Sequence, residues 1–216
     1  MARKPSPASV SPARVDRDIQ DAAARLRGRD AVLDALMDRV GPYPLRAPRS
    51  AFEIMLRTIV SQQLSTRVAE AIYARLAAAM GGGAPRPERL LALTEARLRG
   101  CGLSRAKAVY VCNVAAEFGT RGYTRSSFAR LDDDAVIERL TSIKGVGDWS
   151  AHMFLIFALR RMDVFPVGDL GLRKAMIRVY GLRANTKPAR LERIGDAWRP
   201  YRTVGTLYLW RGYDGA

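Results

Sequence analysis

The apolar side chains keep the period of a helix along most of this chain, and almost nowhere the period of a strand. Phe52, Met55, Leu56, Ile59 and Val60 fall at i, i+3, i+4, i+7 and i+8, one face of a helix. The polar string Ser61-Gln62-Gln63 interrupts them, and Leu64, Val68, Ile72 and Leu76 resume a stripe at four-residue spacing. Ile19, Leu26, Val32, Leu33, Leu36, Met37 and Val40 give a helical pattern over 18–40, broken by Gly-Pro-Tyr-Pro at 41–44. After a Gly- and Pro-rich loop at 81–87, Leu90 to Leu98 reads as a short helix ended by Gly100 and Gly102. Ser104 is placed to cap a helix running through Phe118, and Gly119 and Gly122 follow it. Asp132 to Asp134 supply negative charge at the start of a helix reaching about Thr141. Gly145-Val146-Gly147 leads into an apolar helix over 148–161, and further helices fall near 170–180, 188–197 and 201–211. The fold class this predicts is all-α, without internal repeats.

Charge decides what such a fold meets. The chain has 216 residues, one domain or one core split into two lobes, with 36 Lys and Arg against 21 Asp and Glu. A net charge of +15 predicts a polyanionic partner, nucleic acid or an acidic membrane surface, with a soluble protein that is merely basic as the bland alternative. The membrane reading lacks a basic amphipathic helix. The longest uncharged apolar stretch near the centre, 149–159, is well short of the roughly 20 residues a span needs. Residues 1–17, rich in Pro, Ser and Arg, read as a disordered basic arm with no signal-peptide core. The expected location is the cytoplasm, with the nucleoid as the polyanion. Cys101 and Cys112 are too few for an iron–sulfur cluster and, with the sole histidine His152, make a poor zinc set. A serine triad would have to recruit the same histidine. No cofactor is expected.

The segment Leu140-Thr-Ser-Ile-Lys-Gly-Val-Gly-Asp-Trp-Ser-Ala151 sits between two helical stretches. Two glycines one residue apart permit a tight hairpin and a close approach of backbone to a phosphate. The residues expected on that phosphate are Lys144, Gly145, Val146 and Gly147. An ordinary helix–loop–helix turn is the competing reading. Three further segments follow the same plan: Asp163-Val-Phe-Pro-Val-Gly-Asp169, Trp198-Arg-Pro-Tyr-Arg-Thr with Tyr208-Leu-Trp210, and Ile59-Val-Ser-Gln-Gln-Leu-Ser65. With the hairpin, these segments resemble the helix–hairpin–helix superfamily of DNA glycosylases, and within it the bacterial 3-methyladenine DNA glycosylase II type. The resemblance spans about residues 19–213. The chain looks too short for the N-terminal β-domain of the larger members, and it lacks the cluster cysteines of the endonuclease III branch.

The resemblance implies a chemistry. Breaking an N-glycosidic bond builds positive charge on the deoxyribose, which a fixed carboxylate stabilises while orienting a water. Asp169 takes that role by the resemblance; by spacing alone it reads as the N-cap of the helix from Leu170. Asp163 is the competing acid and reads as a structural contact. Bifunctional relatives carry a lysine after the hairpin, where this chain has Trp149, so the enzyme is expected to be monofunctional. Trp149 and Trp210 are the expected walls of a pocket for a cationic alkylated base, with Met153 and Tyr208 at its rim. Core packing is the alternative for both tryptophans, and Trp198 is assigned to the core. Gln63 is the expected plug for the space left by the flipped nucleotide, with Leu64 the runner-up because apolar wedges are common, and Gln62 the third candidate. Two solvated glutamines would be the bland alternative. By family inference, the backbone carbonyls of Thr141, Ile143 and Val146 hold a monovalent cation.

The implied architecture is two helical lobes with a DNA-binding cleft between them. One lobe combines 18–50 with 162–216; the other is 51–161, with the helix–hairpin–helix at about 133–161. The implied function is excision of alkylated purines such as 3-methyladenine and 7-methylguanine from double-stranded DNA by a monomer, leaving an abasic site. A glycosylase for hypoxanthine or uracil, and a hairpin module that only binds DNA, are the rival readings. An acid at position 169 argues against the second, since a pure binder has no use for it.

Overall fold

The computed structural model describes residues 12–43 and 49–214, and for residues 12–17 and 214 the backbone alone. Among the described residues every regular element is helical. The chain divides into two compact units: one combines the chain up to Pro48 with the chain from Met162, the other runs Arg49–Arg161.

The Arg49–Arg161 unit is built around α3 (Ala51–Ser61), whose apolar face carries Met55, Leu56 and Ile59, each fully buried. Packed on it are α4 (Thr66–Ala79) and, beyond the short α5 (Pro87–Leu91) and α6 (Glu95–Gly100), the long α7 (Arg105–Arg121). The single helix read over 90–98 is therefore two. Thr94 accepts a hydrogen bond from the amide of Arg97 and starts a new helix there. Ser50, Ser104 and Asp132 cap α3, α7 and α9 (Asp133–Thr141) in the same way. One helical turn, α8 (Arg125–Phe128), places Phe128 against Phe154, with ring centroids 5.0 Å apart. Phe118 adds edge contacts to Phe154 and Tyr123, so one aromatic cluster ties α7, α8 and α10 (Asp148–Phe154). The apolar helix expected over 148–161 keeps α geometry only to Phe154. It continues as a π turn, Leu155–Leu159, closed by Arg160 in the left-handed region.

In the other unit, α1 spans Pro12–Leu26 and α2 spans Ala31–Val40. Two expectations are corrected here. The basic arm read over 1–17 lies outside the described residues as far as 11, but from Pro12 the backbone is helical; proline at a first helical position gives up no needed donor. The continuous pattern over 18–40 also breaks, because Gly28 takes a positive φ and Asp30 begins α2. The Asp30 side chain accepts from the amides of Val32 and Leu33 at 3.0 and 3.1 Å, from the Trp198 indole at 2.9 Å and from the Tyr180 hydroxyl at 2.7 Å. Burial opposes ionisation of Asp30, but these donors outweigh it and hold the carboxyl below its ordinary range. Trp198 is fully buried, as read from the sequence. The remaining helices are α11 (Leu170–Val179), α12 (Pro188–Asp196) and α13 (Arg202–Asp214). A Cβ on Gly205 would stand 2.6 Å from the Trp198 ring, so this glycine lets α13 lie directly on the indole.

Candidate active site and nucleic-acid interface

The loop before α11 is set by arginines. Asp163 receives Arg202 Nε at 2.7 Å and Arg199 Nη1 at 2.9 Å, a structural contact that anchors the start of α13. The Val164 amide donates to Thr203 Oγ1 at 2.9 Å. The chain then turns through the Asp169 amide, which donates to the Pro166 carbonyl at 2.8 Å, and α11 begins.

Asp169 is the N-cap of α11: its Oδ1 accepts from the Leu172 amide at 2.5 Å. The same oxygen accepts from Trp210 Nε1, on α13, at 2.9 Å. A Cβ at position 171 would lie 3.1 Å from Asp169 Oδ1 and 3.6 Å from Trp210 Nε1, so Gly171 keeps the acid and the indole uncrowded. Asp169 and Trp210 are both half-buried. Leu170, next along, is 62 % exposed. A carboxylate held by two donors beside an accessible surface can stabilise a developing positive charge.

The other expected pocket residues fare differently. Trp149 is half-buried in α10 and belongs to the Arg49–Arg161 unit, whereas Trp210 belongs to the unit of Asp169. Tyr208 and Met153, expected at a rim, are core side chains with 3 % and 6 % exposure. Tyr208 meets the edge of Tyr43 at 6.3 Å, and Met153 points with the buried face of α10.

The hairpin lies in the Arg49–Arg161 unit, between α9 and α10. Gly145 has φ +103, and a Cβ there would sit 2.2 Å from Cγ of Tyr110. Only glycine fits that backbone against that ring. Gly147, extended at φ −108, is the N-cap of α10 and has open space around its Cα. The amides of Gly145, Gly147 and Asp148 make no hydrogen bond to any described residue, and Lys144 is exposed. Val146 departs from its expected role: its amide donates to the Ile143 carbonyl at 2.9 Å and its side chain is 5 % exposed. What remains of the expected set is Lys144 with the unbonded amides of Gly145 and Gly147.

Of the three tip residues, Gln62 is not available to enter DNA. Its Nε2 donates to the Gly145 carbonyl at 3.1 Å and to Ser150 Oγ at 3.0 Å. Gln63 is exposed and holds a positive φ of 57°, and Leu64 is 38 % exposed, so the projecting tip is Gln63-Leu64. Sequence reasoning missed what supports it. Lys107 Nζ donates to the carbonyls of Val60 and Gln62 at 2.7 and 2.6 Å, and Asn113 donates to the Lys144 carbonyl at 3.1 Å. With Tyr110 these residues stand three apart along α7 and share one face. Burial pushes the Lys107 ammonium below its ordinary pKa.

Comparison with known proteins converges on one family. Residues 56–200 match the family model described as HhH-GPD superfamily base excision DNA repair protein. The chain is 33 % identical to DNA-3-methyladenine glycosylase 1 of Schizosaccharomyces pombe over 196 residues, 88 % of this chain and 86 % of that one. A solved structure of the S. pombe 3-methyladenine DNA glycosylase in complex with abasic DNA superposes with a TM-score of 0.81 at 33 % identity, covering 88 % of this chain and 95 % of that chain. A DNA-3-methyladenine glycosidase from Bacillus halodurans gives a TM-score of 0.73 at 34 % identity, covering 89 % and 88 %.

Proposed function

The chain belongs to the HhH-GPD superfamily of base excision DNA repair proteins, and we propose that it is a monofunctional DNA glycosylase that removes alkylated purines from double-stranded DNA. DNA is its substrate, and the bases are of the 3-methyladenine and 7-methylguanine type. The bond that breaks joins the purine nitrogen to C1′ of the deoxyribose. The electron pair leaves with the base, and water adds to the sugar and loses a proton to solvent, giving an abasic site. The observation that carries this reading is the carboxylate of Asp169, fixed through one oxygen by Leu172 and Trp210. It faces the oxocarbenium charge and orients the water. An alkylated purine already carries positive charge, so its glycosidic bond needs little acid assistance. The face of Trp210, beside Asp169, attracts that cation. Trp149 occupies the position of the lyase lysine, so no Schiff base forms.

The hairpin grips phosphate through Lys144, Gly145 and Gly147, and Gln63-Leu64 fills the vacated stack. A monovalent cation fits the hairpin carbonyls. Among the described residues no hydrogen bond ends on the carbonyls of Thr141 or Val146, and that of Ile143 accepts one. Bound there, the ion would add positive charge beside the phosphate. The enzyme acts as a monomer on nucleoid DNA in the cytoplasm. Among the described residues no helix is long and apolar enough to cross a membrane.

Asp169→Asn tests the assignment. Asparagine caps a helix as well as aspartate does, so α11 stays formed. Incubated with alkylated DNA, the variant should release no 3-methyladenine by chromatography while binding the DNA at least as tightly. Release at the wild-type rate would remove Asp169 from the reaction.

A further inference from the structure

The loop expected to enter the DNA stack and the hairpin expected to hold its phosphate are far apart in sequence, yet a single side chain joins them. We propose that Gln62 is a positioning residue that locks the Gln63-Leu64 tip to the hairpin, with the Lys107-Tyr110-Asn113 face of α7 as their common platform. Insertion and backbone grip are then one rigid action. The proposal rests on the reading that the tip enters DNA.

Gln62 ends α3, and its side chain turns away from the tip. A carbonyl only accepts, so the group facing Gly145 O must be the Nε2 amide, and its second hydrogen goes to the buried hydroxyl of Ser150. The peptide between Gly145 and Val146 is thereby held at both ends: its carbonyl by Gln62, its N–H by the Ile143 carbonyl. That fixes the planes on either side, from which the Gly145 and Gly147 amides project. The ring of Tyr110 closes the remaining face of Gly145, and Asn113 holds the preceding carbonyl.

The tip is held from the same platform. Lys107 clamps the carbonyls of Val60, in the last turn of α3, and of its C-cap Gln62, where a cation suits the negative helix end. Directly after that clamp Gln63 enters the left-handed region. A non-glycine residue stays there only where its surroundings over-determine it. Here they do: Lys107 fixes the carbonyl of residue 62, the hairpin fixes its side chain, and the Leu64 amide returns to Ser61 O at 3.1 Å.

Gln62→Met keeps length and removes the donor without burying a charge; Gln62→Ala is a second variant should methionine pack poorly. Three readouts separate positioning from plain structure: affinity for undamaged duplex, flipping reported by 2-aminopurine fluorescence beside the lesion, and single-turnover excision. Gln62→Met should keep duplex affinity within about threefold and lose about tenfold in flipping and excision, within what the two hydrogen bonds lost can supply. On a Gln63→Ala/Leu64→Ala background the same change should cost less than about twofold, because there is no tip left to position. A full tenfold loss on that background, or none on the wild type, would overturn the coupling while leaving the tip reading intact. Wild-type flipping by Gln63→Ala/Leu64→Ala would overturn the tip reading itself, and the coupling with it.

Discussion

Two glycines of the hairpin look interchangeable in sequence and are not so in structure. At Gly145 an added Cβ meets Tyr110 Cγ, Cδ1 and Cβ at 2.2, 2.5 and 2.6 Å, on a backbone with φ +103. Left-handed strain costs about 1–2 kcal/mol, and forcing a methyl into an occupied site adds about 1–3 kcal/mol. Gly145→Ala should therefore destabilise the protein by about 2–5 kcal/mol if the hairpin stays in place. If it lifts off α7 instead, the bonds from Gln62 and Asn113 break and the phosphate site is lost with them. Gly147→Ala meets nothing within 4 Å at an extended φ of −108. Its only cost is a poorer N-cap, about 0.5–1 kcal/mol. Urea denaturation and fluorescence anisotropy on duplex DNA measure both. A Tyr110→Ala background should recover the ring part of the Gly145→Ala loss and leave the contact with the retained Cβ, at 2.6 Å, and the backbone part. Equal losses at the two glycines, or no recovery without the Tyr110 ring, would refute the packing argument.

Three further outcomes are expected. Trp210→Phe keeps an aromatic face but removes the donor to Asp169, so single-turnover excision should fall about tenfold at unchanged DNA affinity; an unchanged rate would make the indole a wall only. Asp30→Ala removes a cap and strands the Trp198 and Tyr180 donors, which should cost about 2–4 kcal/mol in urea unfolding. His152 is held below its ordinary pKa by burial, against the pull of Asp148 and Asp133. The unfolded chain therefore takes up the proton first, and stability should fall as pH drops from about 7.5 to 5.5 through the unfolded value near 6.5. His152→Gln should flatten that slope, and an unchanged slope would assign it elsewhere.

The helices were legible where their cause is local. The stripe from Phe52 to Val60 is α3, and Ser104 caps α7 as its position suggests. The misreadings come where a stripe runs on across a break. Leu26 and Leu33 both face a core, yet Gly28 and Asp30 end one helix and begin another between them. Thr94 does the same between Leu90 and Leu98. The π turn at Leu155–Leu159 left no mark, since its residues are ordinary helix apolars and the strain is resolved in the left-handed Arg160 that follows. Gln62 was misplaced for a different reason: its partners lie 83 and 88 residues on, beyond any periodicity. Lys107, Tyr110 and Asn113 did leave a trace, a polar spacing of three beside the buried Val111, Val114 and Phe118. Spacing reveals a shared face, but not that a tip and a hairpin rest on it.

Asp169 shows how two readings of one residue become one. From spacing it is a helix cap; from its surroundings in the motif it is an acid. These compete only if capping consumes the carboxylate. The Leu172 amide at 2.5 Å and the Trp210 indole at 2.9 Å both donate to Oδ1. Two donors from different helices on one atom fix the plane of the group, which a solvent-exposed aspartate lacks. Fixed dipoles are what make a charge useful to a transition state, because nothing has to reorganise when the sugar becomes cationic. The helix start thus provides one constraint on the acid proposed for catalysis. Another comes from Trp210, 41 residues along the chain, and only the fold places it there.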